Sequence, residues 1–193
     1  MTVFYLARHG ESDWNAENRF QGHTDRPLTD LGRAQARALA DKLVETTLDA
    51  VYASPLRRAL ETAEIVAARK RLHVVALPDL REIDVGGWAG LSRDEVEARF
   101  PDAFHRWVGG SEGWEDGENY ADMAARVIAE VRRIATRHPD GSVLVVSHGG
   151  PIRAVHAAAA GIDVHAYRRM HTVEPNARLS SVAVENGEIT RLD

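Results

Sequence analysis

Arg8 and His9 stand side by side directly after a short apolar run, Val3 to Ala7, and Gly10-Glu11-Ser12 follows them. A strand that ends in Arg-His-Gly delivers a cation and an imidazole to the rim of a sheet, where glycine lets the backbone turn and a ligand come close. Two other segments leave apolar runs in the same manner. Ser54-Pro55-Leu56-Arg57-Arg58 follows Ala50–Ala53, and Ser147-His148-Gly149-Gly150 follows the run ending at Val146. Leu80-Arg81-Glu82-Ile83-Asp84 supplies carboxylates from a loop. Transfer of a phosphoryl group to a histidine nitrogen would use all four. It needs a neutral imidazole held in one tautomer and fixed donors around the non-bridging oxygens. Arginine serves best there, because its planar fork matches those oxygens. It also needs a carboxyl group able to protonate the leaving oxygen. His9, Arg8, Arg58, His148 and Glu82 meet these needs, and the N–H groups at Gly149-Gly150 open a helix with a partial positive end. Each residue alone has an ordinary structural reading; their joint placement at strand ends favours the chemical one.

The positioning elements follow from hydrophobic period and turn chemistry. Val3–Ala7 reads as a buried strand. Residues 8 to 27 form a polar connection whose length is unusual unless it has a task. Thr29 is a fair N-cap for a helix with Leu31, Ala34, Ala38 and Leu39 on its apolar stripe, running to Leu43. Ala50–Ala53 is a second strand. Ser54 is expected to cap, and Pro55 to open, a helix with Leu56, Leu60, Ala63 and Ala67 inside. His73 to Leu77 is a third strand, and Ser92 to Phe100 a short helix stopped before Pro101. Residues 105 to 118 read as an irregular excursion. Asn119 to His138 is a helix with Met123, Val127, Val131 and Ile134 aligned, and Ser142–Val146 an apolar strand. A helix then runs from Gly149 to about Ala160, and Leu179–Leu192 is a hairpin around Asn186-Gly187. Strands alternating with helices predict an α/β fold, a three-layer α/β/α sandwich on a mostly parallel central sheet. The strand order is not legible.

The 193 residues, 44% of them hydrophobic, suit one domain over 1–193. There is no cysteine, so disulfides and thiolate catalysis are excluded. No apolar run is long enough to span a bilayer, and no signal peptide is legible; the expectation is a cytoplasmic enzyme with no membrane partner. A formal charge of −5 without a basic block argues against nucleic acid. An anionic substrate would have to be held by a local arginine cluster.

Together these segments are similar to the motifs of the histidine phosphatase superfamily, in the branch that includes cofactor-dependent phosphoglycerate mutases and related phosphatases. Arg8-His9-Gly10-Glu11-Ser12-Asp13-Trp14-Asn15 resembles its opening signature. Phe20-Gln21-Gly22, Asp25, Pro27-Leu28-Thr29, Gly32 and Gln35-Ala36 resemble the continuation. Ser54-Pro55-Leu56-x-Arg58-Ala59-x-x-Thr62-Ala63, Leu80-x-Glu82 with Gly87-x-x-Gly90, and Val146-Ser147-His148-Gly149-Gly150 follow in the family's order.

The resemblance implies that His9 is phosphorylated, and that Glu82 protonates the leaving group and then activates water. It implies that Arg8, Arg58 and His148 bind the phosphoryl oxygens. Asn15, Gln21, Gly22 and the Gly149 backbone would line the pocket. No cofactor and no metal is expected, and Glu112, Glu115, Asp116 and Glu118 lack a calcium-loop pattern.

A phosphomonoesterase is favoured over a mutase. Mutases usually carry Tyr-Gly-x-Leu-x-Gly-Leu-Asn-Lys after the catalytic glutamate. Here Val85-Gly86-Gly87-Trp88-Ala89-Gly90-Leu91-Ser92-Arg93 stands there. Asn15-Ala16-Glu17-Asn18-Arg19-Phe20 is mutase-like and keeps isomerisation as the alternative; a non-catalytic phospho-ligand module is the alternative of another class. The expected partner is a small phosphorylated metabolite, and a homodimer is left open. Trp107, Trp114 and Tyr120 are expected to overhang the pocket or to pack against the domain. His23 and His171 are further candidates for ligand contact, against surface or core roles.

Overall fold

Successive residues of a strand face opposite sides of a sheet, and three strands sort cleanly by this rule. In β1 (Thr2–Arg8), Phe4 and Leu6 enter one apolar cluster and Ala7 the other. In β4 (Ser142–Ser147), Val143 and Val145 oppose Leu144 and Val146. In β2 (Ala50–Ala53), Tyr52 opposes Val51 and Ala53. These strands are covered on both faces, as parallel strands require. The structure, a computed structural model, describes residues 1–192; Asp193, the last residue of the expected domain, lies outside the described residues.

The chain continues from β1 through α1 (Asp13–Ala16) and α2 (Asp30–Lys42) to β2, then α3 (Arg57–Lys70) and β3 (Val74–Ala76). After α4 (Arg93–Arg99), α5 (Pro101–Val108) and α6 (Tyr120–Arg137) come β4, α7 (Gly149–Ala159), α8 (Val164–Met170), β5 (Leu179–Glu185) and β6 (Glu188–Arg191). The sheet order is β3-β2-β4-β1-β5-β6. β3, β2, β4 and β1 pair in parallel, whereas β5 runs antiparallel to β1 and to β6. The result is the mixed, mostly parallel three-layer sheet that the alternation predicts.

α2 and α3 cover one face. Ala36, Leu39, Ala40 and Leu43 meet Ala59, Ala63, Val66 and Ala67, small residues that let the helices lie close. α6 and α7 cover the other face through Met123, Val127, Val131, Ile134, Ile152 and Val155, all at most 2% exposed. Burying each such side chain contributes about 1.5–3 kcal/mol relative to exposure.

Four local expectations need correction. The buried stripe of α2 is Gly32, Ala36, Leu39 and Ala40, and Leu31 is 55% exposed. Gly32 has to be glycine, because a Cβ there would lie 2.0 Å from the Glu11 carbonyl oxygen. Ser54 does not cap α3, whose N-cap is Leu56 without a side-chain bond. Instead Asp25 Oδ1 accepts the Arg57 N–H at 2.6 Å, from 32 residues away. The inner face of α3 starts at Arg58, and Leu60 is only partly buried. Pro101 does end α4, but it also occupies the first turn of α5, a position where its missing N–H is harmless. Irregular chain therefore begins after Val108 rather than at residue 105. α8, capped by Asp163, had no counterpart in the sequence reading.

Candidate active site

The sheet order sets the site. β2, β4 and β1 are adjacent and parallel, so their carboxyl ends place Ser54, His148 and His9 in one row. This is the rim at which α/β sheets bind ligands. The antiparallel β5 starts at the same rim, with Leu179 opposite Ala7, and brings the 172–178 segment over it. A cavity of about 500 Å³ opens there, with Arg8, His9, Arg58, Glu82, Gly150 and Arg153 in its walls.

His9 is 2% exposed. Its Nδ1 lies 2.6 Å from the Gly10 carbonyl oxygen, and its Nε2 lies 3.3 Å from the Arg58 Nε. A carbonyl only accepts and a guanidinium only donates, so the pair fixes the tautomer. Nδ1 carries the proton and Nε2 keeps its lone pair. Burial, then the charges of Arg58 and Arg8, hold the imidazole well below the usual histidine range; the Gly10 carbonyl opposes them with a smaller effect.

Arg58 is 1% exposed, on the first turn of α3. Its Nη1 and Nη2 donate to the carbonyls of Thr24 and Gly22, both at 2.9 Å. Burial lowers its pKa to about 10, against the opposing pull of Glu82 and Asp25, so it stays cationic at neutral pH. Thr62, one turn on, accepts the Gly10 N–H at 3.0 Å and donates to the Arg58 carbonyl at 2.7 Å. The loop after β1 is thereby tied to the helix that carries Arg58. Arg8 donates through Nη1 to the Glu174 carbonyl at 2.7 Å, and its Nε is buried without a partner.

His148 is fully buried, its ring centroid 5.1 Å from that of His9 in an edge-on arrangement. Burial first, then the charges of Arg58 and the other cations, keep it neutral. Its Nε2 sits 2.7 Å from the Ser54 hydroxyl, while its Nδ1 is buried with no partner. The Ser54 hydroxyl also accepts the Leu56 N–H at 3.3 Å, just ahead of the helix.

The Glu82 carboxylate accepts the Ile83 N–H at 2.9 Å and the Gly150 N–H at 3.1 Å. A Cβ at Gly150 would lie 2.4 Å from Glu82 Oε1 and would push the carboxylate from this position. Arg126 holds the loop from behind. It donates to the carbonyls of Asp79, Arg81 and Glu82 at 2.8–2.9 Å, and its fork grips both oxygens of Glu118.

Of the remaining expected residues, Asn15, Gln21 and Gly22 line the cavity. Gly149 does not; its neighbour Gly150 takes that place. Trp107, Trp114 and Tyr120 do face the cavity, and they also pack in a ring cluster with Phe20 and Trp88. His23 is turned to the Glu82 carbonyl at 2.7 Å, and His171 stacks on Tyr167 at 4.1 Å; neither lines the cavity. Sequence reading missed Arg153, Val173 and Asn176, whose side chain donates to the His9 carbonyl at 3.0 Å. Only Arg153 left a signal, standing one turn after Gly150 on a helix that opens at the rim.

Residues 4–192 match the description "Histidine phosphatase superfamily (branch 1)". The chain belongs to this superfamily. The phosphoserine phosphatase 1 of Hydrogenobacter thermophilus is 38% identical over 166 residues, 85% of this chain and 79% of that one. The solved structure of Bacillus stearothermophilus YhfR superposes with a TM-score of 0.92 at 33% identity, covering 99% of this chain and 95% of that one. A mycobacterial glucosyl-3-phosphoglycerate phosphatase, solved in complex with VO3, gives 0.89 at 31% identity, covering 97% and 95%. The chain is therefore an enzyme of the histidine phosphatase type. No helix among the described residues is long and apolar enough to cross a membrane. No group of three or more His, Cys, Asp or Glu among them is placed to hold a metal ion.

Proposed function

We propose that the protein hydrolyses a small phosphomonoester, without a metal, through a covalent phosphohistidine at His9. The observation that carries this reading is the His9 ring itself. The Gly10 carbonyl fixes the proton on Nδ1, and the Nε2 lone pair points at Arg58, whose Nε–H it accepts until substrate enters. A neutral, oriented imidazole among arginines is what nucleophilic attack on phosphorus requires.

In the first step the Nε2 lone pair attacks phosphorus and the ester P–O bond breaks. The leaving oxygen takes its electron pair and a proton from Glu82. In the second step Glu82 removes a proton from water, the water oxygen bonds to phosphorus, and the P–N electrons return to Nε2. Inorganic phosphate leaves, and Glu82 is protonated again. Arg58 turns its Nε–H from His9 to a phosphoryl oxygen as the attack begins. Arg8 contributes its unpartnered Nε–H. His148 contributes Nδ1–H, provided that the Ser54 hydroxyl donates to its Nε2. The donors of Arg8 and His148 are already in place at the developing charge and need little reorganisation. Asn15, Gln21 and Gly22 shape the side wall, and the Gly150 N–H orients Glu82.

The test is hydrolysis of p-nitrophenyl phosphate by the parent and by His9→Ala. Turnover is expected to persist in EDTA and to fall by ~10⁴-fold or more in the variant. Parental turnover in His9→Ala refutes the nucleophile, and EDTA inactivation refutes the metal-free reading. Supplying 3-phosphoglycerate with a bisphosphate primer separates the activities: released phosphate is expected, and isomer without phosphate release would make the protein a mutase.

A further inference from the structure

Arg153 lines the cavity from α7, three residues beyond Gly150. Residues three apart share a helix face, so its side chain emerges about 4.5 Å further along the axis than the N–H that holds Glu82. The guanidinium is largely withdrawn from water, yet it makes no ion pair among the described residues. Its Nη2 donates to the His171 carbonyl at 3.1 Å, and its Nε is buried with no acceptor. Glu82, Tyr120 and Tyr167 face it favourably and Arg168 unfavourably, but burial outweighs them all and works against its charge.

The neighbouring arginines are committed differently. Arg8 and Arg58 point to the phosphoryl end, and Arg19 is paired with Glu17 and Glu95. Arg168 donates to the carbonyls of Trp107 and Ser111. An unpaired, half-buried cation is costly to hold, and it becomes favourable when an anion enters the cavity and accepts its N–H groups. The net charge of −5 gives no general attraction for such an anion, so the attraction has to be local.

Resting on the phosphatase reading above, we propose that Arg153 docks a carboxylate on the alcohol side of the ester. Substrates are then short phosphorylated hydroxy or amino acids. The position matches this geometry: Glu82 serves the bridging oxygen, and Arg153, about one helical turn further along α7, lines the same cavity, which suits a carboxylate about two or three carbons away. A carboxylate presents two oxygens to a guanidinium fork and balances its single charge.

The matched pair 3-phosphoglycerate and glycerol 3-phosphate differs by carboxylate against hydroxymethyl. The parent is expected to favour 3-phosphoglycerate in kcat/KM by about tenfold or more, the scale of a charge-assisted hydrogen bond. Arg153→Met is expected to abolish most of that preference, and Arg153→Lys to restore part of it, keeping the charge but losing the fork. A parental preference near unity, or an unchanged preference in Arg153→Met, overturns the proposal. If Arg153→Met fails to fold by circular dichroism, the parental ratio and its reduction in Arg153→Lys decide alone. Hydrolysis of p-nitrophenyl phosphate by the same preparation separates the two readings. Where it persists, only the carboxylate site has failed; where the parent lacks it, the phosphatase reading has failed and the carboxylate site falls with it.

Discussion

The floor and the roof of the cavity are built on different principles. The floor is formed by His9 at the end of β1 and Arg58 on the first turn of α3, with His148 buried edge-on against His9, each at most 2% exposed. Main-chain carbonyls orient two of them, that of Gly10 for His9 and those of Gly22 and Thr24 for Arg58, while the Ser54 hydroxyl meets His148. The roof consists of Trp107 from α5, Trp114 from the irregular segment and Val173 from the 172–178 segment. Side-chain packing holds much of it, with Trp107 set edge-on to Phe20 and the guanidiniums of Arg93 and Arg168 over its ring. A floor fixed by backbone geometry suits a reaction whose demands do not change. A roof fixed by side chains can be altered without disturbing that reaction. On the proposed function, bond-making belongs to the floor, and substrate choice to Arg153 and the roof.

Loss of His9 is the largest expected effect, and Arg58 follows. Arg58→Ala is expected to lower turnover of p-nitrophenyl phosphate by on the order of a hundredfold, as when a fixed oxyanion donor is removed. Unchanged kinetics would take Arg58 out of the floor. The same residue has a pH signature. Burial and the Arg58 charge depress the His9 pKa, so removing Arg58 raises it. The acid limb of kcat/KM, which reports the free enzyme, is expected to move to higher pH in Arg58→Met. The ester's own ionisation is common to both profiles. A limb that stays in place would separate His9 from the acid limb.

Glu82→Gln sharpens the comparison differently. It is expected to slow alkyl phosphates more than p-nitrophenyl phosphate, because only the poor leaving group needs a proton. Equal losses on both would make Glu82 a structural residue. Ser54→Ala removes the hydroxyl beside His148 and leaves a buried imidazole nitrogen unpaired. A drop in kcat of about tenfold is expected, from the cost of an unsatisfied buried group. Wild-type kcat would show that His148 is held by packing alone. Trp107→Leu, in the roof, is expected to raise KM about threefold while kcat changes less than about twofold, the pattern of lost ground-state contact. A proportional loss in kcat would place Trp107 with the floor.

The same division explains what was legible in the sequence. Apolar runs that end in Arg-His-Gly, Ser-Pro-Leu-Arg-Arg and Ser-His-Gly-Gly announce strand ends with chemistry on them. Alternation of strands and helices then yields the layered sheet, although the sheet order has to be seen. Sequence patterns favour contacts that are near in the chain. They could not show that Asp25 would cap α3 from 32 residues away, or that Ser54 would turn to His148 across 94. Nor could they show that an antiparallel β5 would swing Asn176 and Val173 over the rim. α2 was misjudged for a similar reason: its buried stripe includes Gly32, chosen for its lack of a side chain rather than for hydrophobicity. Arg153 is not legible in the sequence because its meaning depends on lacking an ion-pair partner among the described residues.

The most direct measurement is a rapid quench of turnover into alkali, where a phosphorylated imidazole survives, followed by peptide mass spectrometry. One phosphoryl group is expected on the peptide carrying His9, localised to that imidazole, rising and decaying at rates consistent with kcat. Turnover that proceeds without any such adduct, or with the phosphoryl group on His148 or another side chain, would contradict His9 as the nucleophile.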